Sequence, residues 1–209
     1  MGVIRFAKKY FGLKGNIADP LKVRKAVRLS YSHAAVTPGG KHPFPVGRWF
    51  AESIGYPKNI LDSLPGFVSE SFTGVSNVPI FADIPRGATV LDIGCGAGLD
   101  SLVVASKARK VIGIDFSNEM LKKAKEGSIK ASQYNTDFCC AAAEDLPFPD
   151  KFFDVILVNG IFNLNPFRRE IFREMSRVIK SGGSVYAAEL ILKKPQIAKK
   201  LCDLNDWFS

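Results

Sequence analysis

An acidic residue followed by three alternating glycines is the part of this sequence best suited to bind a ligand. The stretch LDIGCGAGLD contains, in order, Asp92, Gly94, Gly96 and Gly98. Glycines between a strand and a helix let backbone N–H groups approach a ligand closely. A turn that holds a pyrophosphate has the spacing GxGxxG, but the third required position here is Leu99. The glycines therefore predict a ligand-binding turn that differs from the dinucleotide fingerprint.

The carboxylate ahead of the glycines favours a cationic ligand. Asp92 would repel a diphosphate, whereas it can meet an ammonium group directly or through water. S-adenosylmethionine carries an ammonium and a sulfonium and no phosphate. A second carboxylate, Asp115, ends an apolar run 19 residues after Gly96, where it can accept hydrogen bonds from both hydroxyls of a ribose. The two features together predict a site for S-adenosylmethionine.

Residues 88–192 resemble the class I S-adenosylmethionine-dependent methyltransferases, of the type 11 and quinone methyltransferase kind. VLDIGCGAGLDS resembles the glycine motif, VIGIDFSNEML the ribose motif, and AAAEDLPFPDKFFDVILVNG the third and fourth motifs. The resemblance implies methyl transfer with S-adenosylhomocysteine as product, and Phe116 and Met120 bordering the adenine. The cofactor-binding residues that we expect are Asp92, Gly94, Cys95, Gly96, Gly98, Asp115, Phe116, Met120, Ala142, Ala143, Glu144, Asn159 and Gly160.

One position departs from the pattern of these relatives. Ala142 stands where they usually carry an acidic or amide side chain that accepts from the adenine amine. The backbone at Ala143 and the side chain of Glu144 or Asp145 are expected to serve the adenine instead. A lost hydrogen bond of this kind costs about 0.5–1.5 kcal/mol, which is too little to abolish binding.

The acceptor is expected above the carboxyl ends of the strands, where ligands of such sheets bind. That places Asn159, Gly160 and Asn163 over the methyl group, although Asn163 could equally bond its own loop backbone. From the N-terminal segment, Tyr31 is a candidate contact to the bound ligand. His33 and His42 are candidate bases or incidental loop histidines, so no catalytic residue is assigned.

Strands that alternate with helices predict an α/β fold with a Rossmann-like, doubly wound and mainly parallel sheet of order 3-2-1-4-5. The expected strands are 88–94, 110–115, 138–142, 153–159 and 184–192. The expected helices are 98–107, 117–130 and one from Asn165 to Gly182-Gly183. Class I cores usually add two more strands, which are expected to be missing from this chain.

The N-terminal part is predicted to form a mostly helical cap, residues 1–70, on a cofactor-binding core, residues 71–209. Helical spacing covers residues 3–13, and a basic helix is expected over 20–31. A loop rich in proline and glycine follows at 37–45, and two short helices are expected at 47–56 and 57–70. Residues after Pro195 also have helical spacing.

The net charge of +9 is concentrated near the N-terminus, where residues 1–60 hold eleven basic and two acidic side chains. Such a segment predicts a solvated helix face, an anionic acceptor or peripheral contact with an anionic membrane. Aromatic-rich RNA-binding signatures are absent, so no nucleic-acid partner is expected. The four cysteines form no CxxC pair, so we expect neither a zinc site nor disulfides. Reduced thiols of this kind predict a cytoplasmic location.

Two stretches, HPFPVGRWFAESIGYP and VNGIFNLNP, resemble the arsenite methyltransferases, and that resemblance implies three cysteine ligands for As(III). No cysteine precedes Cys95, and Gly160 occupies the position expected for the second ligand. We therefore expect a small organic acceptor rather than arsenite, unless ligands lie outside this chain. A non-catalytic cofactor-binding module is the alternative, and a nicotinamide oxidoreductase is disfavoured because GxGxxG fails.

Overall fold

Five parallel strands form one sheet in a computed structural model that describes residues 20–191. The strands are β1 (Thr89–Ile93), β2 (Lys110–Asp115), β3 (Thr136–Cys140), β4 (Phe153–Asn159) and β5 (Ile179–Ala188). Their order is β3-β2-β1-β4-β5, with every pair of neighbours parallel. The predicted fold class and strand order are confirmed.

Helices pack on both faces of this sheet. They are α1 (Pro20–Val36), α2 (Arg48–Ser53), α3 (Lys58–Asp62), α4 (Gly66–Glu70), α5 (Val78–Phe81), α6 (Leu99–Ala105), α7 (Asn118–Lys130) and α8 (Arg168–Val178), with a 3-10 turn at Phe162–Leu164. None of the helices within residues 20–191 combines the length and the apolar run that crossing a membrane requires.

The central strands are buried on both faces, as their continuous apolar runs predict. Every residue of β1 is buried, and the core on one face gathers Leu91, Ile114, Phe153 and Ile156 with residues of α8. The chain turns in opposite directions after β1 and β4. Their carboxyl ends therefore flank a crevice, which is where ligands bind in sheets of this type.

Local sequence signals account for the positions of several elements. The Ser117 side chain accepts from the Met120 backbone N–H at 3.3 Å and caps α7, as expected for the helix over 117–130. Ser32 of α1 donates to Glu119 at 2.8 Å, and this bond holds α1 against the start of α7. The basic helix therefore continues to Val36, beyond its expected end at 31.

Other expected boundaries are also wrong, including those of the fifth strand, which spans Ile179–Ala188 rather than 184–192. The helix α8 ends at Val178 rather than at Gly182-Gly183, because these glycines belong to β5 where its register with β4 shifts. The segment 57–70 forms two helices because Pro65 interrupts it. The third strand begins at Thr136, two residues before the apolar run that marked it.

Some expectations fall outside the described residues. The helical spacing at 3–13, the segment after Pro195 and Cys202 all lie there. The division into residues 1–70 and 71–209 remains a prediction. Within the described part, α1 to α4 supply the helices of the expected cap.

Candidate functional site

A large cavity opens at the carboxyl ends of β1, β2 and β4. About 1040 Å³ of space inside it is not filled by protein atoms, part of it open to solvent. Arg24, Val27 and Tyr31 of α1 line one side, and their spacing places them on one face of that helix. The expected site residues that line the cavity are Tyr31, Asp92, Gly94, Cys95, Gly96, Asp115, Phe116, Ala142, Ala143, Glu144, Asn159 and Gly160.

The glycine turn forms one wall of the cavity. Gly94 adopts a φ of +73°, and a Cβ there would lie 2.1 Å from the Ile161 side chain. The backbone N–H of Gly96 donates to Asp115 at 3.0 Å. The turn is therefore tied to the end of β2, and any side chain at Gly94 would displace Ile161.

Asp115 lies at the end of β2 with its carboxylate in the cavity. Its second oxygen accepts from the Ser117 backbone N–H at 2.8 Å, so the carboxylate orientation is defined. Burial raises the pKa of Asp115 to about 6, although the backbone N–H groups oppose that rise. The group is thus mostly ionised at neutral pH and can accept hydrogen bonds from a ligand.

A buried pair of carboxylates, Asp92 and Asp100, lies beside the turn. Ser101 donates to Asp92 at 2.6 Å, and Asn159 donates to Asp100 at 2.9 Å. The hydroxyl of Tyr56 also donates to Asp100. Burial raises the pKa of both carboxyls, and the charge of Asp100 raises that of Asp92 further.

Sequence reasoning missed Asp100 and Tyr56. The carboxylate of Asp100 lies in the first turn of α6 and lines the cavity, so an acid at a helix start directly after the glycine turn was the available signal. Tyr56 carried no comparable signal. Its partner is 44 residues away in the chain, and only the packing of α2 and α3 on the core brings them together.

Asn159 has a different set of partners from the one expected. Its amide oxygen accepts from the backbone N–H groups of Val75 at 2.8 Å and Ser76 at 3.2 Å. Its amide nitrogen donates to the Ser76 carbonyl at 2.8 Å and to Asp100. The side chain is therefore fully used in holding the segment 73–76 against the cavity.

The adenine side of the expected site contains Phe116 and the short run Ala142 to Glu144. Glu144 forms an ion pair with Arg24 at 2.8 Å and accepts from Asn165 at 3.1 Å, so its carboxylate already has partners. Met120 was also expected to border the adenine, but it does not line the cavity. It is 1% exposed and packs against Ala34, Ala35 and Ala97 beneath the turn, because α1 covers its face of α7.

Two further expected residues lie outside the cavity lining. Gly98 begins α6 with a φ of +88°, and a Cβ there would lie 3.0 Å from the Ala124 Cβ, so it permits close helix packing. The Asn163 backbone N–H donates to Glu189 at 3.1 Å, and its side chain donates to the Leu190 carbonyl. Asn163 therefore joins the 3-10 turn to the end of β5.

Tyr31 is the aromatic residue of α1 that reaches the cavity. Its ring stacks on Phe44 with centroids 4.7 Å apart. Burial and the nearby Asp115 charge raise the pKa of Tyr31, so its hydroxyl stays protonated and can donate to a ligand. The rings of His33 and His42 pack edge to face, with their centroids 5.3 Å apart. Neither residue lines the cavity, so the structure does not bring these candidate bases into it.

The cysteines of the described chain are dispersed. Cys95 is buried beside the turn, and burial raises its pKa well above the ordinary value. Cys139 is half-buried on β3, whereas Cys140 is exposed. Within residues 20–191 no group of three His, Cys, Asp or Glu residues could hold a metal ion.

Comparisons with known proteins identify the family of this arrangement. A family model described as a methyltransferase domain matches residues 84–208. The arsenite methyltransferase of Halobacterium salinarum is 34% identical over 148 residues, which cover 69% of this chain and 38% of that protein. The demethylmenaquinone methyltransferase of Listeria monocytogenes is 36% identical over 106 residues, or 49% of this chain and 44% of that protein.

A solved structure shows the same similarity in three dimensions. It is an arsenic(III) S-adenosylmethionine methyltransferase from Chlamydomonas reinhardtii, with a TM-score of 0.58 and 27% identity. The match covers 63% of this chain and 48% of that one. The chain thus spans less than half the length of each of these three relatives.

Proposed function

Because the chain belongs to the S-adenosylmethionine-dependent methyltransferase family, we propose that it transfers the cofactor's methyl group to a small-molecule acceptor. The observation that carries the proposal is the cavity in which the Gly94–Gly98 turn, Asp92 and Asp115 meet. Asp115 would hold the ribose hydroxyls, and Asp92 the ammonium. Both carboxylates are held in place by hydrogen bonds within the protein, so they suit a ligand with this pair of groups.

Methyl transfer of this kind needs alignment more than acid–base chemistry. A lone pair of the acceptor forms the new bond to the methyl carbon as the carbon–sulfur bond breaks, and the sulfur keeps that electron pair. S-adenosylhomocysteine leaves, and a proton leaves the acceptor if it still carries one. The protein's task is to hold donor and acceptor in line within a site that excludes water.

The charges inside the cavity favour an uncharged organic acceptor. Arg24 is the cation among the described lining residues, and it is paired with Glu144. The remaining ionisable charge comes from carboxylates, and much of the other lining is apolar, including Val68, Phe72 and Leu164. This supports a neutral acceptor over the anionic one that the basic N-terminus suggested, and a demethylated quinone is the acceptor named for one relative.

Calorimetry separates the functions in question. The protein should bind S-adenosylmethionine and S-adenosylhomocysteine, and it should not bind NAD. Release of S-adenosylhomocysteine should then be measured with a panel of phenols, quinols and amines. Cofactor binding without turnover on any acceptor would indicate a non-catalytic module. Binding of NAD in place of S-adenosylmethionine would overturn the proposal.

We also propose that α1 contacts anionic membranes through its outer face. Lys25 and Arg28 are exposed there, and α1 itself carries no acidic residue. Flotation with anionic vesicles should show binding that salt weakens and that the double variant K25Q/R28Q loses. The control K107Q/K151Q removes two exposed charges that lie just before the amino ends of β2 and β4. Equal binding by both variants, or none by the unmodified protein, contradicts the contact.

A further inference from the structure

We infer that Asp100 lets the cavity distinguish the sulfonium cofactor from its uncharged thioether product. The inference rests on the proposed function and deepens it. Neither the glycine motif nor the ribose motif assigns a role to this residue. It nevertheless lines the same cavity, one residue into α6.

The environment of Asp100 keeps a carboxylate in place without neutralising it. The residue is only 5% exposed, and its two oxygens accept from Tyr56 and Asn159. Both donors are uncharged, so they orient the group and leave its negative charge uncompensated. Desolvation of an unpaired charge is costly, and a cationic ligand can relieve that cost.

Among the described residues, the protein itself offers no cation for this charge. Arg24, the basic residue of the lining, is paired with Glu144 at the side of the cavity closed by α1. The other titratable groups that face the Asp92–Asp100 pair are Asp115 from β2, Tyr56 from the segment between α2 and α3, and Cys95 from the turn. All of these are acidic groups.

Apart from Glu144, which is paired with Arg24, the lining contains three carboxylates that can be compared with three groups of the cofactor. Asp115 is positioned for the ribose diol, and Asp92 for the ammonium. Asp100 is then available for the second positive charge, the sulfonium. In a site of low dielectric constant this interaction is much stronger than in water.

The interaction between Asp100 and the sulfonium has a consequence for turnover. Methyl transfer converts the sulfonium to a neutral thioether, so the net charge of the bound ligand falls by one. The product then leaves the negative charge of Asp100 without a partner. Asp100 therefore favours exchange of spent product for fresh cofactor.

The test is the ratio of two dissociation constants, that of S-adenosylhomocysteine divided by that of S-adenosylmethionine, measured by calorimetry at pH 7. Asp100→Asn removes the charge at nearly constant shape, and the ratio should fall by about tenfold, as for one pKa unit of lost interaction. If Asp100 had only a structural role, the substitution would weaken the binding of both ligands equally and leave the ratio unchanged. That outcome overturns the inference while the proposed function stands.

Three control variants separate charge from structure. Asp115→Asn should weaken both ligands equally, because both carry the ribose. Tyr56→Phe removes a hydrogen bond from Asp100 and keeps its charge, so it should preserve most of the ratio. Asp100→Glu keeps the charge and should also retain the preference, which is informative if Asp100→Asn folds poorly. Loss of the preference in Tyr56→Phe but not in Asp100→Asn would contradict the assignment.

A pH series provides a test without substitution. Burial raises the pKa of Asp100 and of Asp92, so the pair takes up a proton as the pH falls below neutral. The ratio in the unmodified protein should therefore decrease from pH 7 to pH 5. A ratio that is constant over this range contradicts the inference. Failure of the unmodified protein to bind either ligand would instead refute the proposed function.

Discussion

Asp115 illustrates how one side chain can organise the protein around a proposed ligand site. Its carboxylate accepts from the backbone N–H of Gly96, in the turn after β1, and from that of Ser117, just after β2. These two bonds fix the carboxylate at the end of β2 without a charged partner. The remaining acceptor capacity of the oxygens is directed to the cavity.

Replacing Asp115 with alanine should weaken S-adenosylmethionine binding at least tenfold. The variant loses two charge-assisted hydrogen bonds to the ribose, each worth about 1.5–3 kcal/mol. Calorimetry measures the affinity, and circular dichroism checks the fold. Asp137→Ala, on the exposed side of neighbouring β3, is the control and should bind normally. An unchanged dissociation constant in Asp115→Ala would refute the ribose assignment.

Asp92 should reduce the stability of the ligand-free protein at neutral pH. Burial and Asp100 raise its folded-state pKa above the unfolded value. The folded protein therefore binds the Asp92 proton more tightly than the unfolded chain does. This stabilises the fold fully below about pH 4, and the stabilisation is lost as the pH rises through the raised pKa. Asp92→Asn should consequently increase the free energy of unfolding at pH 8 by at least about 1 kcal/mol, with little change at pH 4.

Urea unfolding at the two pH values measures this effect in the absence of cofactor. Asp83→Asn is a matched control that removes a carboxylate from the exposed surface. Asp92→Asn should also bind S-adenosylmethionine more weakly, which would link the stability cost to function. An Asp92→Asn protein that is less stable than the unmodified protein at pH 8 would contradict this account.

At the scale of elements, α1 closes the cavity that the sheet opens. Its contact with the opposite side is the ion pair between Arg24 and Glu144, and its contact with α7 is the bond from Ser32 to Glu119. Lids of this kind often control how fast a ligand leaves rather than how the reaction proceeds. We therefore predict that the cap is a partly mobile element.

Arg24→Ala should accelerate release of the bound cofactor by less than about fivefold. The pair is partly exposed, and ion pairs of that kind contribute about 0.2–1 kcal/mol. Stopped-flow displacement measures the rate constant for dissociation. Arg28→Ala removes a charge from the outer face of the same helix and should have no effect. If Arg24→Ala released the cofactor at the same rate as Arg28→Ala, the ion pair between Arg24 and Glu144 would have no role in closing the cavity.

At the scale of the whole molecule, the distribution of the thiols within residues 20–191 argues against arsenic chemistry. As(III) is thiophilic and requires several thiolates that converge on one point. Cys95 lies in the glycine turn, Cys139 is half-buried on β3, and the neighbouring Cys140 is exposed. These positions do not converge, although an arsenite methyltransferase and an arsenic(III) S-adenosylmethionine methyltransferase are among the relatives of this chain.

This chain should therefore not turn over arsenite. The assay supplies arsenite, S-adenosylmethionine and a thiol reductant, and detects methylarsenic species by chromatography with mass detection. S-adenosylmethionine binding by the same preparation is the positive control for folding. Multiple turnovers to methylated arsenic would show that this prediction is wrong.

Local sequence determined the elements that carry the cofactor site. The runs of apolar residues at 110–115 and 153–159 coincide with β2 and β4, and Asp115 ends its strand as expected. Such runs specify buried parallel strands because both faces must be covered by apolar contacts. The glycine turn was equally predictable, since its conformation needs residues without a Cβ.

Only the tertiary structure decided which side chains meet in the cavity. Asp100 acquires Tyr56 and Asn159 as partners across 44 and 59 residues of chain, and no local pattern specifies such pairings. The same reason explains Met120, which has the expected position in α7 but packs under α1 instead of facing the cavity. Contacts between distant segments depend on how whole elements pack, and packing is a property of the complete fold.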